Sequence, residues 1–325
     1  MDFRFTKDQQ DLIDAAREVF IGENTLERLR AMLAGNEVAS LWPQFYELGL
    51  VGLMVEEGQN GLGQSLSVMA AVAEAAGYVG LPEPFVELAG ISLPVLMQQK
   101  QTEVLEAVLN NQDRLAVLSP MRPLVNCVHD FSLFATGEGA DFSIHKADDI
   151  GFVKHRSIDP LRNISRASCS VSDNQLANWH GGVLSAAQLV GLSHRMVDMA
   201  VAYSIDRKQF GQPIGSFQAV KHLLANVHTQ IEFTRPTIWL AAAKGGANVH
   251  AAKIAAIDTA TQAAEAAIQV FGGMGYTFEV DLHLFMKRAW ALSNEWGDRN
   301  FHARALSEHV FASDREIGPG VSFAS

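Results

Sequence analysis

Cysteine is nearly absent from these 325 residues: Cys127 and Cys169 are the only two. They show no metal-ligand spacing and cannot staple a small secreted scaffold, so a reducing cytoplasm is the expected compartment. Basic charge is also in deficit, with 25 Lys and Arg against 36 Asp and Glu and a net charge of −11. With no Lys/Arg block, this excludes a general nucleic-acid binder, although an anionic small ligand needs only local cations. No apolar run approaches the ~20 residues that cross a bilayer, and the opening Met1-Asp-Phe-Arg-Phe-Thr6 lacks a signal-peptide core. No membrane span and no leader are therefore expected. His222 and His228 do not share a helical face, and His250 has no evident partner, so no metal site is expected. The Gly-rich run Glu56 to Gly63 lacks the Lys-Ser/Thr of a P-loop and reads as a turn.

What is present is a globular composition, 48% hydrophobic and 19% charged, long enough for two or three domains with a large core. Residues 1–112 read as helical. Thr6 to Gln9 has the form of a capping box, and apolar faces recur over Leu12 to Phe20, Leu26 to Leu33 and Leu41 to Leu48. Ser65 caps a small-residue helix that Gly77 closes, and Phe85 to Met97 and Thr102 to Leu109 follow. Residues 113–176 change period into short β-leaning runs: Leu115 to Leu118, Phe131 to Ala135, Phe142 to Ile144, Gly151 to Val153 and Ala167 to Val171. Residues 177–325 return to helix: Val183 to Arg207, Phe217 to Thr234 with a kink or break at Arg235-Pro236, Ile238 to Ala243, Val249 to Phe271, and Asp281 to Val310. The expected fold is mainly α with a small β domain: an N-terminal helical domain, then the β domain, then a C-terminal four-helix bundle.

Two Gly-rich turns interrupt that bundle. In Tyr203-Ser-Ile-Asp-Arg-Lys-Gln-Phe-Gly-Gln-Pro-Ile-Gly-Ser-Phe-Gln218, glycines and Pro213 stop one helix and start the next. Arg207 and Lys208 fall at a helix C-terminus, where they complement its dipole. Beside Phe210 they also suit a ligand with phosphate and an aromatic ring. The second turn is Ala266-Ala-Ile-Gln-Val-Phe-Gly-Gly-Met-Gly-Tyr276. In this order, Arg-Lys-Gln-Phe-Gly and Gln-Val-Phe-Gly-Gly-Met-Gly-Tyr resemble the acyl-CoA dehydrogenase family over nearly the whole chain.

That resemblance implies FAD as cofactor and an acyl-CoA thioester as substrate. It assigns Arg207 to the FAD pyrophosphate, with Gln209 and Phe210 near the flavin. Gln269, Gly272 and Gly273 line the adenosine side of an FAD bound mainly by a neighbouring subunit, and Gln218 is carried over with them. The Thr-Glu-Pro-x-Ala-Gly-Ser-Asp and Trp-Ile-Thr segments that touch the flavin in full-length members are missing, so the β domain is reduced. Asp159-Pro-Leu-Arg162 resembles the Leu-Asp-x-Thr-Arg motif of shortened members. The family base is a carboxylate near neutrality in pKa. Alignment puts Trp296 at its usual position and Gly181 at the alternative one. Glu295 and Asp298 flank the vacancy and read as solvated or ion-paired helix carboxylates, while Trp290 and Trp296 read as packing.

The catalytic residue is thus unassigned. The resemblance implies a subunit of an FAD-dependent acyl-CoA dehydrogenase whose full-length partner, in a heterotetramer, supplies the catalytic Glu. Shortened members of this kind dehydrogenate steroid side-chain thioesters, and electron-transfer flavoprotein is the implied acceptor. The alternatives are a self-sufficient homo-oligomer with a displaced base, or a helical scaffold without catalysis.

Overall fold

The computed structural model describes residues 3–122 and 124–311; the last residues of the C-terminal segment read from sequence lie outside these. The chain opens on α1 (Lys7–Glu23), whose N-cap Thr6 and Gln9 close the expected capping box and whose Ile13, Ala16 and Phe20 are buried. Next come α2 (Leu26–Leu33) and α3 (Trp42–Glu47). Helix α4 (Leu66–Tyr78) is capped by Ser65 and runs one residue past Gly77. The next helical stretch comprises α5 (Phe85–Glu87), a π-turn (Leu88–Ser92) and α6 (Leu93–Gln98). Helix α7 (Thr102–Leu109) follows. Phe20, Phe45 and Phe85 interlock at the centre, with ring centroids 4.9–5.8 Å apart.

Six short strands form two three-stranded sheets, ordered β1-β3-β4 and β2-β6-β5. The strands are β1 (Leu115–Val117), β2 (Val125–Asn126), β3 (Leu133–Thr136), β4 (Ser143–Lys146), β5 (Phe152–Lys154) and β6 (Ile164–Ala167). Strand β6 lies earlier than the Ala167 to Val171 run suggested, and β2 was not legible at all. Its two residues are defined by pairing with β6 rather than by any local period. Ala116, Leu118, Val125, Phe131, Phe134 and Ile150 form a small core of their own.

Helices α8 (Gln175–Asp206), α9 (Gln218–Lys244) and α10 (Ala247–Phe271) pack on one another, and α11 (Leu282–Leu292) and α12 (Arg299–Phe311) complete the bundle. The architecture is the expected mainly α fold with a small β domain. Two local expectations fail. Of the kink or break expected at Arg235-Pro236, the break does not occur: α9 runs on through Pro236. It is exposed, as is Glu232, so the carbonyl freed by its missing N–H faces water. The expected Asp281 to Val310 helix is two helices. Trp296 and Gly297 take positive φ of 56° and 95°, and Asp298 then caps α12 through its Oδ1, which accepts from Phe301 N at 2.7 Å.

Candidate functional site

The up-down-up course of α8, α9 and α10 brings both Gly-rich turns to one end of the bundle. Tyr203, near the end of α8, stacks on Phe271, the last residue of α10, with centroids 4.3 Å apart and planes 23° apart. Arg207 is the C-cap of α8. Beyond it, β7 (Lys208–Gln209) pairs with β8 (Gln212–Pro213) as a tight hairpin. Its two turn residues, Phe210 and Gly211, have φ of 53° and 81°, the pattern of a two-residue turn with positive φ at both positions. A bulky ring there is strained by about 1–3 kcal/mol, yet Phe210 is 90% exposed. Gln218 opens α9. Arg207, Gln209, Gln218, Gln269, Gly272 and Gly273 are all exposed. The Arg207 side chain has no hydrogen bond or ion pair among the described residues. Gly272 holds φ 60° and ψ −135°, a region open essentially to glycine alone. A Cβ on Gly272 or Gly273 would meet nothing within 4 Å.

This face fits the phosphate and adenosine part of a dinucleotide: a free guanidinium, amide side chains, an exposed ring and bare backbone. Next to it, Val201, Ile205, Val220 and Leu224 line an apolar groove of about 630 Å³ between α8 and α9. Arg207→Ala is expected to weaken FAD retention about ten- to a hundred-fold, since a charged hydrogen bond contributes about 1.5–3 kcal/mol. Equilibrium dialysis of whichever assembly holds FAD measures this, and unchanged affinity would remove Arg207 from the site.

The two positions for a base meet in space. Trp296 is 2% exposed, and its indole lies flat against α8 at Gly181. A Cβ on Gly181 would sit 2.1 Å from Trp296 Cδ2. The space a carboxylate would need from either side is therefore filled by the ring, with Arg122 over it at 5.7 Å from the ring centroid.

Glu295 and Asp298 are not on a helix. Glu295 is buried in a charge network: its Oε1 accepts a short hydrogen bond from Arg162 Nη2 and lies 3.5 Å from Arg122 Nε. Arg122 Nη2 also donates to Glu87 at 2.9 Å. Asp159 pairs with Arg288, whose Nη1 donates to Leu81 O at 2.8 Å. Both ends of the Asp159-Pro-Leu-Arg162 motif thus clasp α11 and the turn after it. Burial, then the cations Arg288 and Arg122, pushes the Arg162 guanidinium down to about 10.

His250, expected without a partner, has one: its Nδ1 lies 2.8 Å from His302 Nδ1. His302 Nε2 donates to Trp296 O at 2.9 Å. The carbonyl only accepts, so His302 Nδ1 is the acceptor and His250 Nδ1 the donor. Burial first, then Lys253 and His250, holds His302 down at about 4. Lys253 is fully buried, donating to Ser185 Oγ at 2.6 Å and Leu292 O at 3.0 Å. Neither Lys253 nor His302 carries a legible signal, because both sit in otherwise ordinary helical patterns. Among the described residues no cluster could hold a metal ion, and no helix is long and apolar enough to cross a membrane.

Residues 179–311 match the family model described as acyl-CoA dehydrogenase, C-terminal domain. The acyl-CoA dehydrogenase IpdE2 of Mycolicibacterium smegmatis is 29% identical over 281 residues, covering 84% of this chain and 88% of its own. FadE25 of Mycobacterium bovis, named a probable acyl-CoA dehydrogenase, is 30% identical over 280 residues, 77% of this chain and 70% of its own. In fold, a chain of the ChsE4–ChsE5 complex from Mycobacterium tuberculosis superposes with a TM-score of 0.84 at 18% identity, over 97% of this chain and 100% of that one. With both motifs on one face and a 30% identical relative matched over most of its length, the chain belongs to the acyl-CoA dehydrogenase family of FAD-dependent oxidoreductases.

Proposed function

We propose that this chain is the base-deficient subunit of a hetero-oligomeric acyl-CoA dehydrogenase. It lends its exposed motif face to an FAD whose ring is held, and whose substrate is deprotonated, by a full-length partner. The observation that carries this reading is the contact of Trp296 with Gly181: the indole stands at one base position and bars a side chain at the other. FAD, when bound, supplies the hydride acceptor for α,β-dehydrogenation of the thioester. This chain's part is to hold the cofactor. Arg207 pairs with the pyrophosphate, Gln209 and Gln269 offer amide donors and acceptors, Phe210 covers an aromatic surface, and Gly272-Gly273 lets backbone approach closely. The exposed Phe210 and the apolar groove beside it suit burial against a second subunit. The complex named for the structural relative is consistent with such pairing. Steroid side-chain thioesters, the substrates of the shortened members it resembles, are the class to assay first, with electron-transfer flavoprotein as acceptor.

Expressed alone and then with an adjacent full-length acyl-CoA dehydrogenase, the chain is expected to be colourless or unstable by itself. The complex is expected to be yellow, at about one FAD per unlike pair. Absorbance per chain and native mass measure this; an active homotetramer with one FAD per chain overturns the proposal.

The alternative, a displaced base in this chain, has two candidates, and both are otherwise engaged. Glu295 is held by Arg162 and Arg122, and Asp298 caps α12. In the assembled enzyme, Glu295→Gln and Asp298→Asn are expected to keep turnover within about ten-fold while FAD stays bound, because a general base contributes typically about 10²–10⁴-fold. A drop of several orders of magnitude in either variant would make it the base.

A further inference from the structure

Between the β domain and α11 lies a cavity of about 220 Å³ whose charged lining is mainly cationic. Arg122, Arg156 and Arg162 reach it, and Glu295 is the single carboxylate on its wall. Arg122 is 2% exposed; its Nη2 donates to Glu87, while its Nε, ion-paired 3.5 Å from Glu295 Oε1, makes no hydrogen bond. Arg156, at the mouth, is exposed and has no hydrogen bond or ion pair among the described residues. The opposite wall is apolar, built from Leu124, Ile158, Ile164 and Trp290. Glu295 already shares its Oε1 between two arginines, so donors outnumber the acceptors on the wall. Within the buried network Glu87 and Asp159 offset Arg122 and Arg288, so the cation left for a ligand at the cavity is Arg156.

We propose that this cavity binds a small carboxylate with an apolar body, its oxygens on Arg156 and its body against Trp290 and the aliphatic wall. Guanidinium forks match carboxylate oxygens, and the apolar wall contributes only to a ligand that covers it. Inorganic phosphate would leave that wall wet, and its second charge would face Glu295. The cavity lining shares no residue with the motif face or with the Trp296–Gly181 contact, so its test reads separately from the subunit proposal.

The test is calorimetric titration of the full chain, in its partner complex if it is unstable alone, with benzoate, benzamide and inorganic phosphate as probes. Benzoate is expected to bind at one site per chain, about ten- to a hundred-fold more tightly than benzamide. Arg156→Gln, an exposed change that the fold tolerates, is expected to weaken benzoate about ten-fold and leave benzamide unchanged. Binding is expected to persist when the complex is loaded with FAD. No benzoate binding, equal binding of benzamide, phosphate binding as tightly as benzoate, indifference to Arg156→Gln, or loss of binding on FAD loading would each overturn the proposal.

Discussion

A glutamate placed at Gly181 is expected to cost the chain about 4 kcal/mol or more. That is the range reached when overpacking and an unpaired buried charge coincide. The first atom of the new side chain would fall 2.1 Å from the Trp296 indole, and α8 cannot retreat because it is packed against both α4 and α10. Trp296→Gly alone is also destabilising, since it empties a buried site, although glycine accepts the φ of 56° there without strain. The two changes together are expected to be less costly than their sum by about 0.5–3 kcal/mol, the range of coupling between residues in contact. Urea unfolding of the three variants closes the cycle. Simple additivity would show that the indole does not occupy the Gly181 site in solution. If the double variant also shows thioester-dependent flavin reduction in a complex whose partner base has been removed, the vacancy has been refilled.

Lys253→Met is expected to stabilise the chain, and by an amount that depends on pH. Burial pushes the Lys253 ammonium down from 10.5 to about 7, with no carboxylate beside it. A lowered lysine pKa means that the unfolded chain binds more protons between pH 7 and 10.5, so this residue's contribution to stability rises with pH through that window. At pH 7 and below the cost of the buried charge is nearly full, about 5 kcal/mol from the shift at 1.36 kcal/mol per pH unit. Above 10.5 it is gone. Methionine removes the cost but also two hydrogen bonds, those to Ser185 and Leu292 O, worth about 1 kcal/mol each. The variant should thus gain several kcal/mol over the parent at pH 7 and little or nothing at pH 10. Urea midpoints of both proteins at the two values measure it, and a difference independent of pH would mean that Lys253 is not buried as a charged group.

Much of this protein was legible without coordinates. Thr6 with Gln9, Ser65, and the apolar steps of α2, α7 and α10 specify helices through local hydrogen bonds and period, which sequence carries directly. The paired Gly-rich turns are equally local. Arg207 at a helix end follows from the glycines and Pro213 after it, whereas the glycine-only conformation of Gly272 is seen only in the fold. The break between α11 and α12 was not local in this sense: Trp296 at positive φ runs against its own preference and is held there by Gly181, Arg122 and His302.

Sequence alone determined the mainly helical fold with its small β domain and the motif pair, and it set Trp296 and Gly181 where the resemblance places a base. Only the tertiary structure decided that those two positions are one place, that a tryptophan fills it, and that Glu295 belongs to a buried arginine network rather than to a helix surface. The physical reason is distance along the chain. Periodicity and capping report on neighbours within a turn or two, whereas Gly181 with Trp296, Arg162 with Glu295 and Lys253 with Leu292 O are brought together by helix packing.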